Sequence, residues 1–257
     1  MEPIGNSMVV IGVLSAIIAA LYAVFERDDG RALGWSSVSQ LGFAILSPSY
    51  ACIYAMQHGI CKTLLFTSLS SPIQDGEAKE IDQGAPSNIP EWLLVSIFVI
   101  ASLSIMGLPF TAGFITKTWL KGDIPIEASL ITSTSTLLTA TVYARLIWSR
   151  SSKYVRNLAI YKTLNQQKSM NLNPQSIVLA LSALLIIVFS LSYPDAYYYN
   201  NIQSSLAAVV LASFLYTSVA GLRTENFVKP VTRTLDLVGA PFVVAALLLA
   251  NLFYFKI

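Results

Sequence analysis

Apolar runs long enough to cross a lipid bilayer follow one another along almost the entire chain, and no other feature limits its fold so strongly. A helix needs about 20 mainly apolar residues to span the hydrocarbon core. Runs of this kind cover residues 8–25, 50–69, 92–108, 177–191, 202–222 and 235–255. A shorter one, 33–46, is closed by Pro48. Only 12% of the 257 residues are charged and 54% are hydrophobic, whereas soluble domains carry about 25% charged residues. Such a chain cannot cover itself with a water-facing surface, so most of it faces lipid or apolar protein. This excludes a nucleic-acid binder, a secreted disulfide scaffold and a disordered chain. The net charge of +2 is too small to imply a polyanionic partner. Cys52 and Cys61 match no disulfide framework or metal spacing and read as buried free thiols. Glu2 stands where a signal peptide has positive charge, and no small-residue cleavage site follows, so the first run is expected to remain as a membrane helix.

Residues 110–148 are too long for one crossing and are interrupted by Lys121-Gly122-Asp123-Ile124-Pro125. Lys and Arg of short loops collect on the cytoplasmic side. One broken crossing gives eight spans and puts Arg27, Arg31, Lys79, Arg150, Lys153, Arg156, Lys162, Lys168, Arg223, Lys229 and Arg233 on one side, with Lys256 alone opposite. Two crossings would divide the basic loops between the faces, so the broken crossing is preferred. The expected fold is therefore all-α, a polytopic membrane helix bundle of about eight spans with one discontinuous helix. Both termini are expected on the non-cytoplasmic side, with polar loops at 71–91 and 150–175 in the cytoplasm. Irregular backbone at membrane depth costs several kcal/mol per unpaired group unless it is buried in protein or lines a wet cavity. Transporters build ion sites at such breaks. A re-entrant loop or a packing kink is the alternative.

His58, Lys62, Lys117, Lys121 and Arg145 fall inside apolar segments, where a charge costs about 2.5–3.5 kcal/mol or more. His58 and Lys62 are four residues apart and share a helix face. They form either a proton relay or a carbonyl-bonded histidine beside a snorkelling lysine, and spacing does not choose. Lys117 precedes the interruption and is the better intramembrane cation. Lys121 borders Asp123 and suits an interfacial anchor. The run Thr132-Ser133-Thr134-Ser135-Thr136 either lines a hydrated path or packs helices closely. Arg145 is expected to snorkel. Asp28, Asp29 and Arg31 form a charged turn, which simple solvated capping would also explain. The basic stretch 150–168 contacts anionic lipid, contacts an acidic partner, or only enforces topology. Tyr197-Tyr198-Tyr199 fits an interfacial aromatic belt. No phosphate loop, zinc spacing, haem motif or nucleophile elbow occurs, so no cofactor, metal or catalytic site of its own is expected.

Three stretches stand in order across residues 24–148: DDGRALGWSSVSQLGF at 28–43, HGICKTLLF at 58–66 and GLPFTAGFITK at 107–117. The first is similar to a charged turn followed by Tyr-Ser-Ser-x-Ser-Gln-x-Gly. The second is similar to His-x-x-x-Lys-x-Leu-Leu-Phe, and the third to the Gly-x-Pro-x-x-x-Gly-Phe-x-x-Lys opening of a discontinuous helix. Together they resemble the antiporter-like membrane subunits of respiratory complex I, its photosynthetic relative, membrane-bound hydrogenases and multisubunit Na⁺/H⁺ antiporters. The resemblance implies that Lys117 exchanges protons with an outer half-channel and that His58 and Lys62 lie on a central hydrophilic axis. It implies that Gln40 belongs to the following helix of that axis and that Asp28 and Arg31 form the family's charged turn. Gly107, Pro109, Gly113, Gly122 and Pro125 are then the helix-break residues. Gly30 stands where lysine is common, and Trp35 replaces a tyrosine.

In that family these motifs occupy the second of two inverted repeats. The resemblance therefore implies a second half-module at 1–149, a basic cytoplasmic loop at 150–175 and a three-helix membrane segment at 176–257. It also implies other membrane subunits as partners, among them a chain supplying the first half-module with its glutamate–lysine pair. The expected function is a half-channel for H⁺, or Na⁺, in a proton-translocating complex that includes an NAD(P)H:quinone oxidoreductase or a cation/proton antiporter. A non-conducting assembly subunit and a component of inorganic-carbon uptake are the alternatives. The expected location is a bacterial plasma membrane, a thylakoid or an organelle inner membrane.

Overall fold

A computed structural model describes residues 3–70, 89–124, 126–163 and 174–222. The expected span 235–255 lies outside these residues, as do Pro125, Lys79, Lys168, Arg223, Lys229, Arg233 and Lys256. The described residues are all-α, without a strand. The helices are α1 (Pro3–Phe25), α2 (Asp29–Leu46), α3 (Ala51–Ser70), α4 (Glu91–Met106), α5 (Ala112–Asp123), α6 (Ile126–Thr163), α7 (Pro174–Leu191) and α8 (Tyr199–Leu222). A 3₁₀ turn, Pro194–Ala196, separates the last two.

The helix ends follow from local chemistry. Asp28 is extended and its Oδ1 accepts the Arg31 N–H at 2.7 Å, capping α2. Ser47 closes α2 just before Pro48, which cannot continue the hydrogen-bond ladder. Helix α4 ends at Gly107, whose φ of 84° is left-handed. Gly107 N–H bonds Ser104 O and Leu108 N–H bonds Leu103 O, a Schellman closure. Helix α5 stops at Asp123, and Ile124 is extended (φ −78°, ψ 133°), the conformation that a following proline imposes. The interruption therefore lies within the expected Lys121–Pro125 stretch.

Helix α6 is the centre of the bundle. Residues 132–143 are buried without exception, so this stretch is enclosed on every side, and α6 packs against α1, α2, α4 and α8. Helices α1 and α2 form a tight pair at Gly12 and Gly42. A Cβ on Gly42 would lie 2.6 Å from Gly12 O and 2.7 Å from Ala16 N, so only glycine permits this backbone approach. Facing outward, α7 exposes Val178, Leu181, Leu185 and Val188, and α1 exposes Met8, Ile11 and Leu14. Apolar side chains turned out while hydroxyls, amides and amines turn in suit a lipid environment. Ser7–Phe25 and Pro174–Leu191 are, by length and composition, apolar enough to cross a membrane, and α4 is a shorter apolar helix.

Two expectations are corrected here. Residues 150–163, read as the start of a polar loop, continue α6 to Thr163. This stretch is polar but holds no glycine or proline, so nothing in it ends a helix already under way. The 38-residue α6 is about 57 Å long, well beyond a hydrocarbon core of about 30 Å. Cys52, read as a buried thiol, is exposed on α3, whereas Cys61 is buried. Cys52 is nine residues from Cys61 and six from His58, so it lies away from the buried face that those two share.

Candidate functional site

Three helices contribute side chains at helical spacing to one buried polar axis. Helix α2 supplies Ser36 and Gln40, α6 supplies Thr139 and Tyr143, and α3 supplies Tyr54, His58 and Lys62. Each set repeats every four residues and so lies along one helix face. At one level Lys62 Nζ donates to Leu33 O at 2.6 Å and to the Tyr143 hydroxyl at 2.8 Å. That hydroxyl shares a 3.0 Å hydrogen bond with Ser36 Oγ, and Nζ lies 5.5 Å from the Tyr143 ring centroid. At the next level Gln40 Nε2 donates to Thr139 Oγ1 at 3.0 Å, and the Tyr54 hydroxyl donates to Gln40 Oε1. The Tyr54 ring stacks on His58, one turn further along α3. Gln40 is fully buried, and His58 and Lys62 are each 6% exposed. The snorkelling alternative for Lys62 is therefore not what the structure contains. The carbonyl-bonded alternative for His58 is not met at Nε2, which is buried with no hydrogen-bond partner among the described residues.

Lys117 stands on α5, which packs against α3. Its Nζ is fully occluded and has no hydrogen-bond partner among the described residues. Its stem covers the Gly107 turn, where a Cβ would stand 3.0 Å from Lys117 Cδ. Gly107 is thus needed twice, for its left-handed φ and for the space it leaves the lysine. Pro109 and Phe110 (φ 67°) follow, in the pattern of a type II turn, and the strained Phe110 stacks on Tyr197. Gly113 is required for closeness: a Cβ there would fall 1.7 Å from Ser104 O. Ser104 Oγ accepts from both Gly113 N–H and Gln57 Nε2, each at 3.1 Å, and so ties α3, α4 and α5 together. Gly122 is different, since a Cβ there would meet nothing within 4 Å. The side chains shown to be buried include no Asp or Glu, so the described part of the axis holds amines and imidazole without a carboxylate.

Other candidates lie apart from this axis. Asp28 caps α2, and Arg31, its side chain 71% exposed, pairs with Glu26 at 3.2 Å. These contacts match the solvated-capping reading of the charged turn. Arg145, expected to snorkel, instead donates from Nη1 to Val24 O (3.1 Å) and Glu26 O (2.6 Å), the carbonyls that end α1. Lys121 is exposed, and the neighbouring Asp123 accepts from Ser47 Oγ at 2.8 Å. In the hydroxyl run, Thr134 and Thr136 bond carbonyls of their own helix. Ser135 and Ser39 both reach Ala16 O at 2.8 Å, joining α6 and α2 to α1. Those bonds are packing contacts. No three His, Cys, Asp or Glu side chains converge as metal ligands among the described residues.

Sequence reasoning missed Tyr54, Tyr143, Ser36, Thr139, Gln57 and Ser104. Tyr54 was detectable as the residue one turn before His58. Tyr143 was not, because 81 residues separate it from Lys62 and a tyrosine in an apolar run reads as core.

The family model described as NADH:quinone oxidoreductase/Mrp antiporter, TM matches residues 2–148, a stretch that contains the whole axis. NADH-ubiquinone oxidoreductase chain 5 of Chondrus crispus is 31% identical over 137 residues, 51% of this chain and 20% of the relative. The chain 5 protein of Metridium senile is 30% identical over 199 residues, 69% of this chain and 31% of the relative. NADH-quinone oxidoreductase subunit L of Neisseria meningitidis serogroup B is 30% identical over 129 residues, 48% of this chain and 18% of the relative. The chain thus spans a third or less of the length of these relatives. An all-helical bundle with a polar axis and a family match over more than half its residues assign it: the chain belongs to the antiporter-like membrane-subunit family of NADH:quinone oxidoreductases and Mrp antiporters.

Proposed function

We propose that this chain contributes a proton half-channel to a multisubunit, proton-translocating complex of an energy-transducing membrane. The observation that carries the reading is the Lys117 amine, occluded and without a hydrogen-bond partner among the described residues, set on a helix bounded by breaks at Gly107 and Ile124. An unmet amine in a low-dielectric site binds and releases a proton at a smaller energetic difference than one fixed in an ion pair. His58, also unmet at Nε2, is the acceptor on α3, the helix that packs against α5. Tyr54, stacked on His58, begins a hydrogen-bonded line through Gln40 and Thr139 into α2 and α6. The chain needs no catalytic site for this role, and any electron-transfer chemistry belongs to other subunits. The partners are membrane subunits of the same complex, a reading supported by the relatives' names, chain 5 and subunit L.

The test is Lys117→Ala in the assembled complex in everted membrane vesicles. Driven proton uptake should fall at least tenfold while the amount of assembled complex stays constant. Parent-like uptake with normal assembly would refute the reading. A second reading, a non-conducting assembly subunit, is favoured by the same unmet atoms if groups of a neighbouring subunit satisfy them. In that case Lys117→Ala and His58→Ala lower the yield of complex and leave flux per complex unchanged.

A further inference from the structure

His58 and Lys62 share one face of α3 one turn apart, yet the lysine amine is bonded elsewhere. Its hydrogen bonds go to Leu33 O at 2.6 Å and to the Tyr143 hydroxyl at 2.8 Å, while His58 Nε2 is left without a partner among the described residues. Tyr143 is fully buried and is held in turn by Ser36 Oγ at 3.0 Å. Its ring also flanks the amine at 5.5 Å. A lysine stem has four flexible carbons, and its neighbour one turn away is within reach once the amine is released.

We propose that Tyr143 is a positioning residue, a latch that parks Lys62 on the α2 side of the axis, and that proton exchange between Lys62 and His58 requires this latch to open. The transfer breaks one N–H bond on Lys62 and forms one on His58, and the positive charge moves with the proton. The reverse step restores both groups. Closed, the latch interrupts the path at Lys62 and limits passive proton flow. The proposal rests on the half-channel reading and adds a gate to it.

Tyr143→Phe removes the hydroxyl and keeps the ring. In everted vesicles carrying the assembled complex, with an imposed pH gradient and no driving substrate, this variant should leak protons about tenfold faster than the parent, the equivalent of about 1.4 kcal/mol of lost latch bonding. The pH profile of driven uptake should change as well. Adding Lys62→Ala to Tyr143→Phe should return the leak to the parent level, because the leak runs through an amine then held only by Leu33 O. Ser36→Ala, which loosens the latch without touching Lys62, should give a smaller leak with the same dependence on Lys62. An unchanged leak in Tyr143→Phe, or a leak that survives Lys62→Ala, overturns the proposal. If Lys117→Ala leaves driven uptake intact while the Tyr143→Phe leak still requires Lys62, the half-channel reading falls and the latch stands.

Discussion

Gly113→Ala adds one methyl group at the closest approach of α5 to α4. The new Cβ would stand 1.7 Å from Ser104 O and 2.6 Å from Ser104 C, both backbone atoms that cannot swing aside. Raising 1.7 Å to the 3.0 Å that real Cβ atoms keep requires a retreat of 1.3 Å. That movement also breaks the 3.1 Å bond from Gly113 N–H to Ser104 Oγ. Overpacking of this kind costs about 1–3 kcal/mol and a lost buried hydrogen bond about 1 kcal/mol. The summed penalty is about 2–4 kcal/mol, enough to lower the melting temperature of the complex. Lys117 sits one turn further along α5, so its amine shifts with the helix. Displacements near 1 Å cost about a hundredfold in sites that depend on alignment. The assay is proton uptake per assembled complex, alongside its melting temperature. Uptake should fall at least tenfold and melting should come earlier. Gly122→Ala on the same helix is the control, because its Cβ meets nothing and alanine favours a helix by up to about 1 kcal/mol. If Gly113→Ala matched the parent in both measurements, the close contact between α4 and α5 would be wrong.

Two further substitutions separate the scaffold from the path. Asp28→Ala removes the α2 cap and should destabilise by about 1 kcal/mol, read as an earlier thermal transition, with uptake per complex unchanged. A loss of uptake at normal stability would give Asp28 a role in transport. Arg145→Met deletes the bonds to Val24 O and Glu26 O, leaving two carbonyls at the end of α1 less satisfied. It should cost about 2–3 kcal/mol and reduce the yield of complex, while the complex that does assemble pumps normally.

The sequence displays what depends on spacing along one helix and hides what depends on meetings between helices. The shared face of His58 and Lys62 follows from a separation of four residues. The stop at Ile124 follows from the proline after it, and the turn at Gly107 from glycine's access to positive φ. Ser36 and Tyr143, 107 residues apart, are a different matter: their contact exists only because α2 and α6 lie side by side. Arg145 is hidden for the same reason: a cation near a helix end reads as snorkelling, and only the packing of α1 on α6 brings the Val24 and Glu26 carbonyls beside it. The polarity of 150–163 reads as a loop, yet helices persist through polar residues until something terminates them, and α6 runs on to Thr163. Outward apolar surface and inward polarity were legible as composition. The residues that join the axis were not, because a serine or tyrosine among leucines gives no sign of its partner.

The most direct measurement compares driven proton uptake per assembled complex for Lys117→Arg and Lys117→Met with the parent. Arginine keeps the positive charge but does not release its proton in proteins, and methionine keeps the bulk without a titrating group. If a proton-exchanging amine at this position carries the flux, both variants assemble and both lose uptake at least tenfold. Parent-like uptake in either variant would show that the amine of Lys117 is not on the path.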